Sequence, residues 1–175
     1  MGGMIRIAGA ILVGVSGAVM GIYMGRGLRL RVRVLGLVIF ALQTIESEIA
    51  FARTPLPDII KKLARCGETP VSRLFREMST HFETHNHASF AEVWCGCIRR
   101  NKDELALTHD ETEILYDLGG SLGRYDLDTE ERTLKLATRR LERCLEAARE
   151  RQVKEGRLCS TLGLSAGIIS AIILL

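Results

Sequence analysis

The chain has 175 residues, 24 basic and 21 acidic, so its formal charge of +3 is too small to argue for nucleic-acid binding. Three prolines and an aromatic share of 5% favour helices over a sheet protein. Five cysteines, Cys66, Cys95, Cys97, Cys144 and Cys159, follow no framework spacing, which argues against a secreted disulfide scaffold and for a reducing compartment.

Ile7 to Met24 is an uncharged run of eighteen residues. As an α-helix it rises roughly 27 Å, close to the ~30 Å hydrocarbon core of a bilayer. A cleaved signal peptide shares the positive start and apolar centre but has a shorter apolar part and a small-residue cleavage site. Here Arg26, Arg29, Arg31 and Arg33 follow at once and resist translocation, so an uncleaved transmembrane helix is expected over residues 1–25. Gly17, Gly21 and Gly25 fall on one helix face, where the lack of a Cβ lets another helix approach closely. The four arginines set topology and suit anionic lipid headgroups.

Residues 26–157 form a polar, helix-patterned insert. Val34, Leu37, Val38, Ala41, Leu42, Ile45 and Ile49 follow three-four spacing, which predicts an amphipathic helix ending near Arg53. Thr54-Pro55 reads as an N-cap followed by proline at the first helical position, opening a short helix to about Arg65 that Cys66-Gly67 ends. Thr69-Pro70 repeats that start for a third helix to about Phe82. His81 to His87 is expected to be a loop or frayed end, after which Ser89 caps a fourth helix, Phe90 to about Asn101, with Phe90, Val93, Trp94 and Ile98 inward.

Thr108 with Glu111 is a capping-box pattern for a fifth helix whose Ile114, Leu115, Leu118 and Leu122 face inward, and Gly119, Gly120 and Gly123 mark its weakening and end. Asp128 to Glu131 opens a sixth helix with an acidic first turn and a stripe of Leu134, Ala137, Leu141, Cys144, Leu145 and Ala148. No breaker separates it from a second uncharged run, Leu158 to Leu175, where Gly163 and Gly167 repeat the small-residue theme. Such a seam suits pairing of the two spans within one chain or between copies as a homo-oligomer. The expected fold is all-α, with two terminal transmembrane helices, 1–25 and 158–175, flanking an antiparallel six-helix bundle, 26–157. Arg149, Arg151, Lys154 and Arg157 precede the second span as the four arginines follow the first, which places the insert in the cytoplasm of a two-pass protein of the cell membrane.

Candidate chemistry is sparse. His81, His85, His87, Cys95 and Cys97 are zinc-competent residue types, and they support the rival reading of a metal- or redox-sensing membrane protein. Their spacing is not that of a structural zinc knuckle, and on a helix Cys95 and Cys97 point about 200° apart, so no metal is assigned. Ten carboxylates lie between Asp103 and Glu131 with Arg124 as the one Lys or Arg, a face that suits a basic partner or simply solvated helix surfaces. No glycine-rich phosphate loop, nucleophile elbow or calcium loop is present, so neither an enzyme nor a cofactor is expected.

The order of segments carries a resemblance. A glycine-rich first span is followed by Leu42-Gln43-Thr44-Ile45-Glu46-Ser47-Glu48-Ile49, then Thr54-Pro55-Leu56, Val71-Ser72-Arg73-Leu74-Phe75, Leu118-Gly119-Gly120-Ser121-Leu122-Gly123 with Asp126, and a terminal span. This order resembles the stage III sporulation protein AB family of endospore-forming bacteria over nearly the whole chain. His81 to Asn101 matches no motif of that family. The resemblance implies a non-catalytic adaptor in the secretion-like channel between mother cell and forespore, in the mother-cell membrane around the forespore. It implies a soluble domain similar to the cytoplasmic domains of type II secretion and type IV pilus platform proteins. The implied partners are a hexameric secretion-type ATPase of the same operon and the other membrane components of the channel. Glu46, Glu48 and Pro55, where the family pattern coincides with a helix break, are the expected interaction residues.

Overall fold

The computed structural model describes residues 27–84, 89–123 and 127–174, with Leu127 and residues 155–174 described by backbone alone. The described residues are all-helical. Helix α1 spans Gly27–Ala52 and closes in a π-helical turn, Glu48–Ala52. There follow α2 (Leu56–Ala64), α3 (Pro70–Thr84), α4 (Phe90–Arg100), α5 (Lys102–Leu105), α6 (His109–Ser121) and α7 (Leu127–Leu174). Seven helices stand where six were expected in the insert; the addition is α5, too short to show a helical period. It forms because Leu105 and Leu107 both reach the core, and Ala106 turns the chain between them in the left-handed region at φ 48°.

Two compact units divide the chain: Arg31–Glu146, and Met1–Leu30 with Ala147–Leu175. The core of the first is one cluster. Helix α1 contributes Val34, Val38, Ala41, Leu42, Ile45 and Ile49 as its period predicts, and also Leu35 and Ile39. The buried stripe is wider than the sequence suggests. That explains why α1 is also the one helix among the described residues long and apolar enough to cross a membrane by length and composition. Part of its apolar surface goes into the core of this unit, while Phe40 stays 60% exposed.

Helix α2 packs on α3, and α4 packs on both α3 and α6. Helices α4 and α6 meet closely at Trp94. The Trp94 ring is 2% exposed, and its Nε1–H donates to the Leu115 carbonyl at 2.7 Å. A Cβ on Gly119 would stand 2.2 Å from Trp94 Cδ1, so Gly119 is the floor on which the indole lies. Helix α6 runs through Gly119 and Gly120 and ends at Ser121, within the stretch where the glycines place its end. Gly123, at φ +77°, sits just beyond the helix, in the conformation glycine adopts at no steric cost.

Capping follows the sequence in part. Ser89 Oγ accepts from the Glu92 N–H and the Glu92 carboxylate accepts from the Ser89 N–H, a complete box on α4. Glu111 accepts from the Thr108 N–H at 2.8 Å. Its other oxygen accepts from Arg31 Nη2 at 2.7 Å, and the Glu111 side chain is fully buried. Arg31, one of the four arginines read as setting topology and suiting lipid headgroups, is therefore an ion-pair partner within the helical unit. The acidic run after Asp103 is likewise largely engaged: Glu104 pairs with Arg73 at 2.8 Å, Glu113 with His109 at 3.2 Å, Glu131 with Lys135, and buried Glu130 accepts from the Gly123 N–H at 2.6 Å.

Of the expected spans, residues 7–24 lie outside the described residues, as do Gly17, Gly21 and Gly25. Residues 158–174 form the last part of α7, which carries Gly163 and Gly167 one turn apart.

Candidate functional site

Two places gather the side chains singled out from the sequence. The first is the corner between α1 and α2. The π-helical turn Glu48–Ala52 is closed by Arg53 at φ 50°, ψ 35°, whose N–H returns to the Glu48 carbonyl. A left-handed arginine costs of the order of 1 kcal/mol relative to glycine, so the surrounding bonds must hold it. Glu48 supplies them. Its carboxylate accepts from Thr54 Oγ1 at 3.0 Å and from Lys62 Nζ, tying the end of α1 to α2. Those two hydrogen bonds, Lys62 first and then Thr54, hold the Glu48 carboxyl below its ordinary range.

The expected cap differs here. Thr54 was read as the N-cap of α2, but Pro55 occupies that position at φ −59°, ψ 139°, and Leu56 opens the helix. The Thr54 hydroxyl has gone to Glu48 instead, a tertiary acceptor that the local pattern does not show. Glu46 and Glu48 also part company. Glu46 Oε1 lies 3.9 Å from Lys135 Nζ on α7, while Glu48 faces α2.

The turn presents apolar surface outward. Phe51 is 89% exposed, and Ala50, Ala52, Pro55 and Pro57 beside it in sequence are exposed too. Phe51 was absent from the expected interaction residues. The signal that could have found it is its place two residues past Ile49, off the buried stripe of α1, in a helix that ends within two residues. Exposed Arg53 gives this edge positive charge, while Lys62, also exposed, is paired with Glu48.

The second place lies between α3 and α4. Glu77 and His81 stand one turn apart on α3, and Cys97 faces them from α4. One donor atom from each lies within 4.8 Å of the other two. The Arg100 guanidinium binds all three: Nε donates to Glu77 Oε1 at 2.6 Å, and Nη2 lies 2.8 Å from His81 Nε2 and 3.3 Å from Cys97 Sγ. Asn101 Nδ2 donates to the other Glu77 oxygen. Burial pushes the Glu77 carboxyl up, but the bonds from Asn101 and Arg100 outweigh it and hold the group low. Burial first, and the Glu77 charge second, push the Cys97 thiol up to about 11.

The histidine–cysteine set expected from the sequence is thus not assembled as written. His81 and Cys97 meet. Cys95 turns away toward the Tyr116 carbonyl, 4.0 Å from its sulfur, because residues two apart on a helix face opposite sides. His85 and His87 lie outside the described residues. Glu77, which joins the cluster, was missed; its only sequence signal is the i, i+4 spacing to His81.

A helical unit with a pinned, apolar corner and buried ion pairing at its helix ends is the class of protein these residues define. Comparison with known proteins gives the family. Residues 6–175 match the family model described as stage III sporulation protein AB. Stage III sporulation protein AB of Bacillus subtilis (strain 168) is 28% identical over 172 residues, covering 98% of this chain and all of that protein. A solved structure of stage III sporulation protein AB superposes with a TM-score of 0.66 at 30% identity, over 71% of this chain and 98% of the other. The chain belongs to the stage III sporulation protein AB family, and its role is in sporulation.

Proposed function

We propose that this protein is a non-catalytic adaptor, anchored in the mother-cell membrane around the forespore by its two apolar termini, that couples a cytoplasmic secretion-type ATPase to the other membrane components of a secretion-like channel. Three features support the reading. The described residues hold an all-helical unit, the basic flanks of both apolar runs favour placing that unit in the cytoplasm, and family membership ties the chain to sporulation. The single observation that carries the docking role is the α1–α2 corner. Phe51 stands 89% exposed on a turn whose geometry is fixed from behind by Glu48. An aromatic side chain carried on a turn whose backbone is already held needs little backbone ordering on binding, which suits an interface anchor.

Glu48 acts in this reading as a positioning residue for Phe51, and Pro55 stiffens the same edge. The test is a titration of the full chain in nanodiscs with the ATPase of the same operon, with and without nucleotide. Saturable binding that weakens about a hundredfold in Phe51→Asp is expected for an anchor worth 2–3 kcal/mol. Absence of binding by the unaltered chain at high micromolar concentration overturns the ATPase partnership, and equal binding by Phe51→Asp removes the corner as its seat.

A further inference from the structure

The family assignment does not account for the cluster between α3 and α4. We propose that Glu77, His81 and Cys97 form a binding site for a zinc-like divalent transition-metal cation, in which the Arg100 guanidinium is the resident competitor.

The hydrogen bonds show where the lone pairs point. A guanidinium only donates, so each atom it binds must accept. His81 Nε2 therefore offers its lone pair to the position that Arg100 fills, which places the ring proton on Nδ1. Glu77 Oε1 and Cys97 Sγ offer theirs to the same guanidinium. One oxygen, one imidazole nitrogen and one sulfur thus face one guanidinium, the oxygen at Nε and the other two at Nη2. Oxygen, nitrogen and sulfur together suit zinc and its neighbours and do not suit magnesium or calcium, which take oxygen ligands.

The geometry is close to that of a bound ion. Donors around a tetrahedral zinc stand roughly 3.4 Å apart, given bond lengths near 2.0–2.3 Å. Glu77 Oε1 and His81 Nε2 are already 3.8 Å apart, and all three atoms fit within 4.8 Å. The carboxylate is oriented by the Asn101 amide on its far oxygen, the kind of outer bond that fixes a ligand in metal sites. The competitor can leave: Arg100 is 52% exposed, and its long side chain can swing into water while the cation takes its place. Cys97 would bind as thiolate, its proton passing to solvent, and water would complete the fourth position from the half-exposed side.

Cobalt(II) is the probe, because a bound thiolate gives it a charge-transfer absorption in the near ultraviolet. The full chain, purified in detergent with its cysteines reduced, is titrated with cobalt and then with zinc. One cobalt per chain with that absorption, bleached by zinc, is expected. Arg100→Gln, which removes the competitor, should bind about tenfold tighter or more, and Cys97→Ser should lose the absorption. Because Cys97 is buried and its replacement could disturb folding, His81→Ala, at a partly exposed position, serves as the second variant and should weaken binding about tenfold or more. The proposal fails if neither the unaltered chain nor Arg100→Gln shows the absorption at millimolar cobalt. It fails equally if the absorption survives in Cys97→Ser, which would assign it to another cysteine, or if His81→Ala binds unchanged.

Discussion

The corner at the end of α1 and the contact between α4 and α6 are each built around an aromatic ring, and they use it in opposite ways. Trp94 is 2% exposed, its N–H satisfied by a backbone carbonyl and its face pressed on a glycine. Phe51 is 89% exposed and projects from a turn that a buried-side carboxylate braces. In the first case the neighbours exist to bury the ring. In the second, the bonds hold the turn and the ring adds nothing to the core. A side chain whose backbone is well held but whose own surface is bare is a candidate for a partner, whereas Trp94 is fully accounted for by the fold.

The largest effect should come from closing the space under Trp94. Gly119→Ala puts a methyl where the nearest indole atom is 2.2 Å away, and that atom belongs to a rigid ring. The ring or the helix must move, and a loss of about 3 kcal/mol is expected, near the upper end for overpacking. Chemical denaturation of the full chain measures it. A loss under about 0.5 kcal/mol would show that the two helices are not held as tightly as this contact implies.

A smaller effect separates the brace from the ring it supports. The Glu48 carboxyl is held below its ordinary value of 4.5, so its pairing with Lys62 and Thr54 contributes stability above that value and loses it as pH falls through the lowered one. The melting temperature of Glu48→Gln should therefore lie below that of the unaltered chain near neutrality, and the gap should close in acid below 4.5. A gap that stays constant across that window would mean the charge of Glu48 has no part in the corner.

The smallest effect on stability is expected at Phe51 itself. Phe51→Ala should shift unfolding by no more than about 0.5 kcal/mol, since the side chain is almost wholly in water already. The same thermal or denaturant melt that reports Gly119→Ala checks it. A large loss would place Phe51 in a core contact and erase the contrast with Trp94.

Much of the helical layout was legible along the chain. The stripes of α1, α4, α6 and α7, the Ser89 cap and the Thr108–Glu111 box are local, and periodicity and capping chemistry write them within a few residues. Less of the candidate site was legible. Cys97 could be paired with His81 but Glu77 could not, because α3 and α4 meet through packing and not through any sequence spacing. Arg31 read as one of a topology-setting arginine cluster without an acid because its acid, Glu111, is 80 residues away. Gly119 read only as a mark of the helix's end because the ring that needs its bare face lies on another helix.

By itself, the sequence determined that the described chain is helical, roughly where most of its helices lie, and to which family it belongs, since these depend on residue order and on interactions within a turn or two. Only the tertiary structure decided that Glu48 braces a corner while Glu46 faces α7, that Thr54 gives up its cap, and that Glu77, His81 and Cys97 share one guanidinium. Each of those depends on which groups the packing of apolar stripes brings within about 3–4 Å, the range over which hydrogen bonds and ion pairs act. No local pattern encodes that distance.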